Sequence, residues 1–433
     1  MPGRNPSAPS RGWVIASRSG ETTWGVMSGL QRAWRRLPKW VRYALFGLAK
    51  RGLEILRPLR VMSGWKKGKA GGEPVTVLGL HSAVVGIGEG ARLAAEALEE
   101  AGLRVAREDV SAVYGLKAEL LVRASAPTAG GVVVSHINPP ELMWLLALTG
   151  ADHLKGKKHI GYWAWEMDRA PKPWIPAFRY VDEVWALSEY NAEAIRKIAP
   201  PGMRVTAVGL PVHRFPRLPP DRARFGLEGE GPVVLAGFDL KSNAMRKNPW
   251  GAVEAYKKAV PRPGAARLLL KVASPAADPK AFARLEALAS KRRDITLIRE
   301  HLTDEDMRRL MASVDIVISL HRAEGFGLFL AEAMWLGKPV VATGWSGNMD
   351  FMDETSAGLV RFKVVEADTL AAGNYRGDWH WAKPDHDHAA ELLGRLIDDP
   401  EHRAEMGRRA LAKAEECFSQ ERWMAGVRGS LGF

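Results

Sequence analysis

Short apolar segments alternate with helical patterns along most of the chain, and this alternation constrains the fold more than any other feature. The first segment, at residues 75–80, is followed by a glycine-rich loop and a helical pattern at 91–100. Apolar segments then recur at residues 131–135, 159–163, 183–187 and 205–208. Strands that read as continuous apolar runs and are separated by helices form parallel sheets with both faces covered. The pattern therefore predicts an α/β fold with a doubly wound parallel sheet.

The same alternation begins again after a proline-rich stretch at residues 210–220. The second set of apolar segments lies at residues 233–236, 267–272, 295–298, 315–319 and 339–342. Ligands bind outside the carboxyl ends of parallel strands, so two such units enclose a cleft when they face each other. We predict two Rossmann-like domains, at residues 71–220 and 221–400, that face each other across this cleft. The helical patterns at 401–433 are expected to return to the first domain.

The net positive charge of the chain arises from its first 70 residues. These contain 15 Lys and Arg but only two acidic residues, which equals the net charge of +13 of the whole chain. Within this arm, residues 38–57 place apolar side chains at helical spacing opposite charged ones, with tryptophans nearby. A basic amphipathic helix with tryptophans is typical of a segment that lies on an anionic membrane surface. We predict that residues 31–70 make this contact; a helix packed on the body and a partly disordered leader are the alternatives.

Several classes of protein are disfavoured by the composition. The arm lacks the aromatic and basic pattern of an RNA-binding motif, so no nucleic-acid partner is expected. The sequence has no apolar run of 18 residues and no cleavable signal segment. The single cysteine, Cys417, cannot form an intramolecular disulfide or a cysteine-based metal cluster. We therefore expect a cytoplasmic protein, peripheral at the inner face of the membrane.

The segment at residues 321–343 is the most informative about chemistry. Glu324 and Glu332 are eight residues apart, on either side of a glycine-rich turn that leads into a helix. Backbone N–H groups at the start of a helix, together with its dipole, favour an anion such as a diphosphate. The two carboxylates can accept hydrogen bonds from hydroxyl groups. The segment predicts a ligand with both phosphate and hydroxyl groups; a plain glycine turn with Glu324 as a solvated cap is the alternative.

This segment, Glu-Gly-Phe-Gly-Leu-x3-Glu-Ala-Met-x-Leu-Gly-Lys-Pro-Val-Val-Ala-Thr, resembles the retaining GT-B glycosyltransferases of the group 1, or family 4, type. The resemblance implies a GT-B fold and transfer of a hexose from a nucleotide-diphospho sugar, with retention at the anomeric carbon. It implies that Glu324 contacts the donor sugar and that Glu332 accepts the ribose hydroxyls. It also implies that sugar and phosphate oxygens are bound by the amides of Gly325, Phe326, Gly327 and Leu328.

Two basic residues follow the first strand of the second domain, where members of this family place cations on the donor diphosphate. Lys247 matches the family's lysine, and Arg246 is its neighbour. The usual arginine directly after the strand is absent, because Phe238 and Asp239 stand there, so whether Arg246 substitutes for it is open. Cations at this place neutralise the leaving group. A solvated helix start is the alternative. From the first domain, Gly86 and Gly88 are expected to face the diphosphate.

Residues 159–168 and 181–190 are similar to a bacterial, surface-polysaccharide branch of the family and belong to the acceptor side. There, Trp163 and Trp165 are expected to stack on an acceptor sugar, with core packing as the alternative. Glu166 and Asn138 are expected to bind the acceptor as well.

Two further residues follow predicted strands. His136 stands where the family often has His-x-His-x-Pro, and we predict that it is catalytic together with Glu324 and Lys247; a buried structural histidine is the alternative. Asn348 lies in a stretch similar to the Ser-Gly-Asn variant of that branch, and is predicted to be either a donor ligand or a turn residue.

No metal or other cofactor is expected. Residues 385–388, Asp-His-Asp-His, could mimic a cluster of metal ligands. They stand, however, at a helix start in a context similar to a structural segment of the family. The expected partners are a nucleotide-sugar donor, a glycan or polyprenyl-linked acceptor, and the anionic membrane surface, for an enzyme of surface polysaccharide synthesis. The alternatives are a GT-B enzyme with a soluble small acceptor and a catalytically inactive scaffold that binds nucleotide-sugar or glycan. A third alternative is a protein that binds RNA or membranes through its arm.

Overall fold

The computed structural model describes residues 72–111, 130–151, 154–214, 216–229, 231–367 and 378–433. The predicted basic arm at residues 1–70, with its amphipathic helix and membrane contact, lies outside these residues.

The first domain contains a six-stranded parallel sheet in the order β2-β1-β3-β4-β5-β6. Strands β1 and β3 are buried at every position, which explains their continuous apolar sequence. The strands are β1 (Val75–Gly79), β2 (Val105–Asp109), β3 (Val132–His136), β4 (Lys158–Trp163), β5 (Glu183–Ala186) and β6 (Arg204–Ala207). The α-helices between them are α1 (Gly86–Glu100), α2 (Pro139–Thr149) and α3 (Glu189–Arg196).

The second domain contains another six-stranded parallel sheet, in the order β12-β11-β10-β7-β8-β9. The order in which strands are added to the sheet reverses between β7 and β10, so the carboxyl ends of these two parallel strands flank the usual binding crevice of such a sheet. The strands are β7 (Val233–Asp239), β8 (Arg267–Ala273), β9 (Ile295–Ile298), β10 (Ile316–Ser319), β11 (Val340–Thr343) and β12 (Gly358–Val360). The helices are α4 (Ala244–Lys247), α5 (Pro249–Ala259), α6 (Pro279–Ala289), α7 (Asp304–Ser313) and α8 (Leu328–Trp335).

An antiparallel hairpin, β13 (Phe362–Glu366) and β14 (His380–Pro384), and three helices follow the second sheet. The helices are α9 (His386–Asp398), α10 (Pro400–Phe418) and α11 (Gln420–Leu431). Helix α11 packs against the first domain: Gln420 Nε2 donates to the Ala97 carbonyl at 2.6 Å, and Lys158 Nζ donates to the Ser430 carbonyl at 2.5 Å. The carboxyl-terminal end of the chain therefore ties the two domains together.

The predicted two-domain Rossmann-like architecture is confirmed, with two differences in detail. Helix α1 begins at Gly86, so the glycines that were predicted to form a loop are its first turn. Two edge strands, β2 and β12, were not predicted. In the described part of the chain, no helix combines the length and the apolar character that crossing a membrane requires.

Candidate functional site

A cleft lies between the two domains, at the carboxyl ends of strands from both sheets. The first domain contributes Gly86, His136, Trp165 and Glu166, which follow or end β1, β3 and β4. The second domain contributes residues at the end of β7 or after β7 and β10, namely Phe238, Ser242, Arg246, Lys247 and residues 324–330. Most residues predicted to bind or act on a ligand are therefore brought together at one place.

The turn at residues 324–328, which we call the glycine turn, starts helix α8. Gly327 has a φ of 95°, a left-handed conformation that side chains disfavour, and it is the N-cap of α8 without a side-chain cap. The first amides of a helix have no partner within it, and the helix dipole makes this end positive. Gly325, Phe326, Gly327 and Leu328 all line the cleft. The glycine turn can thus present N–H groups to an anion.

The Glu324 carboxylate is held by two cations. Lys247 Nζ lies 2.5 Å from its Oε1, and Arg246 Nη1 lies 3.2 Å from its Oε2. Burial raises the pKa of Glu324, but Lys247 and Arg246 more than offset this effect and lower the pKa to about 2. Glu324 is therefore a fixed anion beside the glycine turn at neutral pH.

The guanidinium of Arg246 binds mainly to groups of the protein itself. Its guanidinium donates to the carbonyls of Ala323 at 2.7 Å and Ser242 at 3.1 Å, and only 5% of the residue is exposed. Its Nε also lies 3.4 Å from Glu166 Oε1, across the cleft. Lys247 is more exposed than Arg246, so it is better placed to contact a bound anion.

His136 ends β3 and lines the cleft as a neutral imidazole. Its ring stacks on Tyr162 with 4.1 Å between centroids, and only 1% of the residue is exposed. Burial and the nearby His81 lower its pKa to about 3. A side chain at Gly90 would clash with the His136 ring, so this glycine makes room for it. His136 can exchange hydrogen bonds with a ligand, but it does not carry a positive charge at neutral pH.

Glu332 lines a second, smaller pocket that shares Gly86 with the cleft. This pocket is also lined by Glu89, Asp304 and Arg308. Burial and the negative charge of Glu89 raise the pKa of Glu332 to about 8, although Arg308 acts in the opposite direction. Arg308 also pairs with Glu89 of the first domain at 3.3 Å. Glu332 is thus mostly a neutral carboxyl at pH 7, able to donate and accept hydrogen bonds.

Trp163 requires a correction. It was expected to stack on a sugar, but the residue is completely buried and packs edge-on against Trp174 and Phe178. Since no part of its ring reaches the cleft, the alternative of core packing is right. Trp165 does line the cleft, and its indole N–H donates to the Arg169 carbonyl at 2.7 Å.

Asn348 is placed by the structure as a turn residue. It is completely buried; its Nδ2 donates to the Thr343 carbonyl at 3.1 Å, and its Oδ1 lies 3.0 Å from His321 Nε2. Because both ends of its amide bind protein groups, the prediction of a donor ligand is wrong for this side chain.

Two smaller predictions also differ from the structure. A side chain at Gly88 would lie 2.6 Å from the Leu80 carbonyl, so Gly88 lets α1 pack on the preceding loop, and it is not among the described residues that line the cleft. Asn138 Oδ1 accepts from the Ala164 amide at 2.9 Å, so it braces the residues after β4. It is not among the described residues that line the cleft.

Two serines that bind the glycine turn were not predicted. Ser188, which follows β5, donates from its Oγ to the Gly325 carbonyl at 2.6 Å. Ser346, which follows β11, accepts from the Glu324 amide at 2.8 Å. Both follow the ends of predicted strands, and both lie in stretches similar to the bacterial branch of the family, residues 181–190 and the Ser-Gly-Asn variant. Among the described residues, no group of three or more His, Cys, Asp and Glu has the arrangement of a metal site.

Comparison with known proteins gives partial matches. Residues 243–373 match the family model of glycosyl transferases group 1. A trehalose synthase from Rubrobacter xylanophilus is 26% identical over 257 residues, which cover 54% of this chain and 55% of that protein. A D-inositol 3-phosphate glycosyltransferase from Arthrobacter is 28% identical over 233 residues, which cover 53% and 48%. The chain thus spans about half the length of the curated relatives it matches.

Solved structures match over more of the chain. HepE of Anabaena, solved in complex with UDP-glucose, superposes with a TM-score of 0.57 at 15% identity, covering 82% of this chain and 98% of that one. Sucrose-phosphate synthase from Thermosynechococcus elongatus superposes with a TM-score of 0.58 at 16% identity, covering 83% and 98%. At 15–16% sequence identity, this similarity shows a shared fold and nothing about function. The chain therefore has the GT-B fold, and the family model confirms its resemblance to the group 1 glycosyltransferases over residues 243–373.

Proposed function

We propose that this protein is a retaining glycosyltransferase that transfers a hexose from a nucleotide-diphospho sugar to an acceptor hydroxyl. The observation that carries this proposal is the glycine turn at the start of α8, with Glu324 paired to Lys247 in the cleft between the two domains. The family match over residues 243–373 supports it. The complex of HepE with UDP-glucose and the names of the two curated relatives support it as well.

Chemically, the bond between the anomeric carbon and the diphosphate oxygen breaks while a bond to the acceptor oxygen forms on the same face. The diphosphate gains negative charge, which Lys247 and the amides of the glycine turn stabilise. The departing phosphate oxygen takes the proton of the acceptor hydroxyl. The ionised Glu324 faces the sugar, where it stabilises positive charge at the anomeric carbon and accepts sugar hydroxyls. The neutral carboxyl of Glu332 binds the ribose hydroxyls.

The acceptor side of the proposed site is formed by the first domain. Trp165 offers an apolar face and Glu166 a carboxylate, a combination that suits the faces and hydroxyls of a sugar. His136 can hydrogen-bond to the reacting hydroxyl in its neutral form. The charge of the arm at residues 31–70 supports a glycan or polyprenyl-linked acceptor at an anionic membrane, with the enzyme peripheral at its inner face. The name of the first relative, trehalose synthase, favours a soluble small acceptor as the second candidate.

The test compares Lys247→Ala with Lys257→Ala, because Lys257 is a partly exposed lysine of the same domain that pairs with Glu254 and is not among the described residues that line the cleft. Purified chains are incubated with UDP- and GDP-hexoses, and nucleoside diphosphate release and the anomeric configuration of the product are measured. Wild type and Lys257→Ala are expected to form a product with the configuration of the donor. Lys247→Ala should be slower by about 100-fold, the usual cost of removing one group that stabilises a developing anion. No turnover of any nucleotide sugar by the wild type, or an inverted product, would contradict the proposal.

A further inference from the structure

The glycine turn belongs to the second domain, yet a side chain of the first domain holds one of its carbonyls. Ser188 is completely buried, and its hydroxyl donates to the Gly325 carbonyl at 2.6 Å. The fit is close, because a side chain at Gly325 would lie 2.8 Å from the Trp165 carbonyl of the same first domain. The first domain therefore touches the turn through both a hydrogen bond and backbone packing.

A peptide unit is planar and trans, so its carbonyl and its N–H point in opposite directions. The Gly325 carbonyl and the Phe326 N–H belong to one such unit. Because Ser188 binds this carbonyl, it fixes the direction of the Phe326 N–H, which points away from Ser188. Phe326 is one of the residues that line the cleft, so this peptide unit lies beside the space for a bound anion.

The second domain fixes the preceding peptide unit in the same way. The Gly347 amide donates to the Glu324 carbonyl at 2.9 Å, which sets the direction of the Gly325 N–H. A side chain at Gly347 would clash with the Gly325 carbonyl, so the two loops lie in direct contact. Two successive carbonyls of the turn therefore accept hydrogen bonds, that of Glu324 from the second domain and that of Gly325 from the first.

We propose that Ser188 is a positioning residue for sugar transfer: through the Gly325 carbonyl it aims the Phe326 amide at the donor's diphosphate. This inference rests on the proposed function and adds to it a role for the acceptor-side domain in completing the anion site. A nucleoside diphosphate still has Lys247 and Glu332 to bind, so loss of Ser188 affects the transition state, where charge on the leaving group is largest, more than the bound ground state.

Ser188 also caps helix α3, because its Oγ accepts from the Asn191 amide at 3.1 Å. The test must separate this structural role from the positioning role. Glycine at an N-cap position costs only a few tenths of a kcal/mol relative to serine, so Ser188→Gly removes the hydroxyl with little loss of capping. Ser419 is a matched control, since it caps α11 through the Arg422 amide and lies outside the cleft.

The experiment measures kcat and KM with the UDP- or GDP-hexose that the wild type uses, the Kd of the corresponding nucleoside diphosphate, and Tm, for full-length chains. For Ser188→Gly we expect kcat to fall at least ten-fold, while the Kd of UDP or GDP changes less than three-fold. For Ser419→Gly we expect only the small loss of Tm that a helix cap accounts for, and an unchanged kcat.

The inference is overturned if Ser188→Gly keeps more than a third of the wild-type kcat. It is also overturned if Ser419→Gly loses as much kcat, because a general loss of stability would then explain the lower kcat of both variants. A wild-type chain without turnover would overturn the proposed function as well, whereas an active wild type with an equally active Ser188→Gly overturns this inference alone.

Discussion

At the scale of single residues, the site is set by charges and hydroxyls that the sequence places far apart. Glu324 is 77 residues from Lys247 in the chain, yet the two side chains form an ion pair in the cleft. The motif around Glu324 could be identified from the sequence because its residues are contiguous. The roles of Ser188 and Ser346 could not, because each depends on one hydrogen bond to a distant loop. Sequence does not show which way a side chain points, so Trp163 was misassigned and the two alternatives for Asn348 could not be separated.

Ser346 offers a test in which stability and activity should move in opposite directions. Its φ of 77° and ψ of −150° lie in a region that is essentially reserved for glycine and costs other residues about 1–3 kcal/mol. Ser346→Gly should therefore raise Tm, or at least leave it unchanged. The variant also loses the oxygen that accepts from the Glu324 amide, so we expect kcat to fall about ten-fold. Thermal unfolding and kinetics of the same preparation check both parts; a fall in Tm together with normal kcat would contradict this account.

The raised pKa of Glu332 makes a prediction about stability and pH. A carboxyl whose pKa is about 8 when folded and near the ordinary 4.5 when unfolded releases a proton on unfolding between these values. Its contribution to stability is full below pH 4.5, declines between pH 4.5 and 8, and is lost above. Glu332→Gln lacks this titration, so the Tm of the variant should rise relative to wild type as pH increases from 5 to 8. Parallel Tm curves across that range would show that Glu332 is not perturbed.

At the scale of elements, the buried strands and the edge strands β6 and β9 could be predicted, whereas the edge strands β2 and β12 could not. Strands β1 and β3 are buried at every position and read as continuous apolar runs. Strand β2, Val-Ala-Arg-Glu-Asp, is mostly exposed or half-buried and lacks such a run, as does the hairpin strand β13. Glycines in the first turn of α1 suggested a loop, because glycine is a poor helix former. They are tolerated there because α1 packs closely on the loop at residues 80–83 and on His136.

Helix α11 should contribute strongly to stability through one side chain. Trp423 is 4% exposed and packs edge-on against Trp185 of the first sheet. Truncating a buried tryptophan to alanine typically costs about 3–5 kcal/mol of the free energy of unfolding. We expect Trp423→Ala to lower the midpoint of denaturant unfolding markedly. Phe433→Ala is the control, because Phe433 is 49% exposed and should have little effect. Equal midpoints for the two variants would argue against the docking of α11.

At the scale of the whole molecule, the two-domain organisation could be predicted from the sequence. So could the difference in net charge between the arm and the body. The body is neutral and the arm carries the net charge of +13. The GT-B arrangement followed from the repeated strand and helix pattern and from the resemblance at residues 324–343. The donor base, the sugar and the acceptor could not be predicted, because loops on a shared fold determine them.

The charge of the arm predicts how the full chain binds membranes. Each Lys or Arg near an anionic surface contributes about 1 kcal/mol, so replacing Lys66, Lys67 and Lys69 by Glu should weaken binding by more than about 100-fold. Sedimentation with phosphatidylserine-containing vesicles measures this. As a control, three lysines of the body are replaced by Glu, namely the exposed Lys280 and Lys291 and the partly exposed Lys257, and these changes should leave binding nearly unchanged. An equal loss in both triple variants would indicate that net charge alone, and not the arm, drives binding.

We expect the cleft to bind a nucleoside diphosphate through the glycine turn, Lys247 and Glu332. Calorimetric titration of the full chain with UDP and with GDP, for wild type, Glu332→Ala and the surface control Glu415→Ala, measures this binding. We predict that the wild type binds one of the two nucleotides, that Glu415→Ala binds it equally well, and that Glu332→Ala binds it at least ten-fold more weakly. Binding of neither nucleotide by the wild type, or equal binding by Glu332→Ala, would contradict the account.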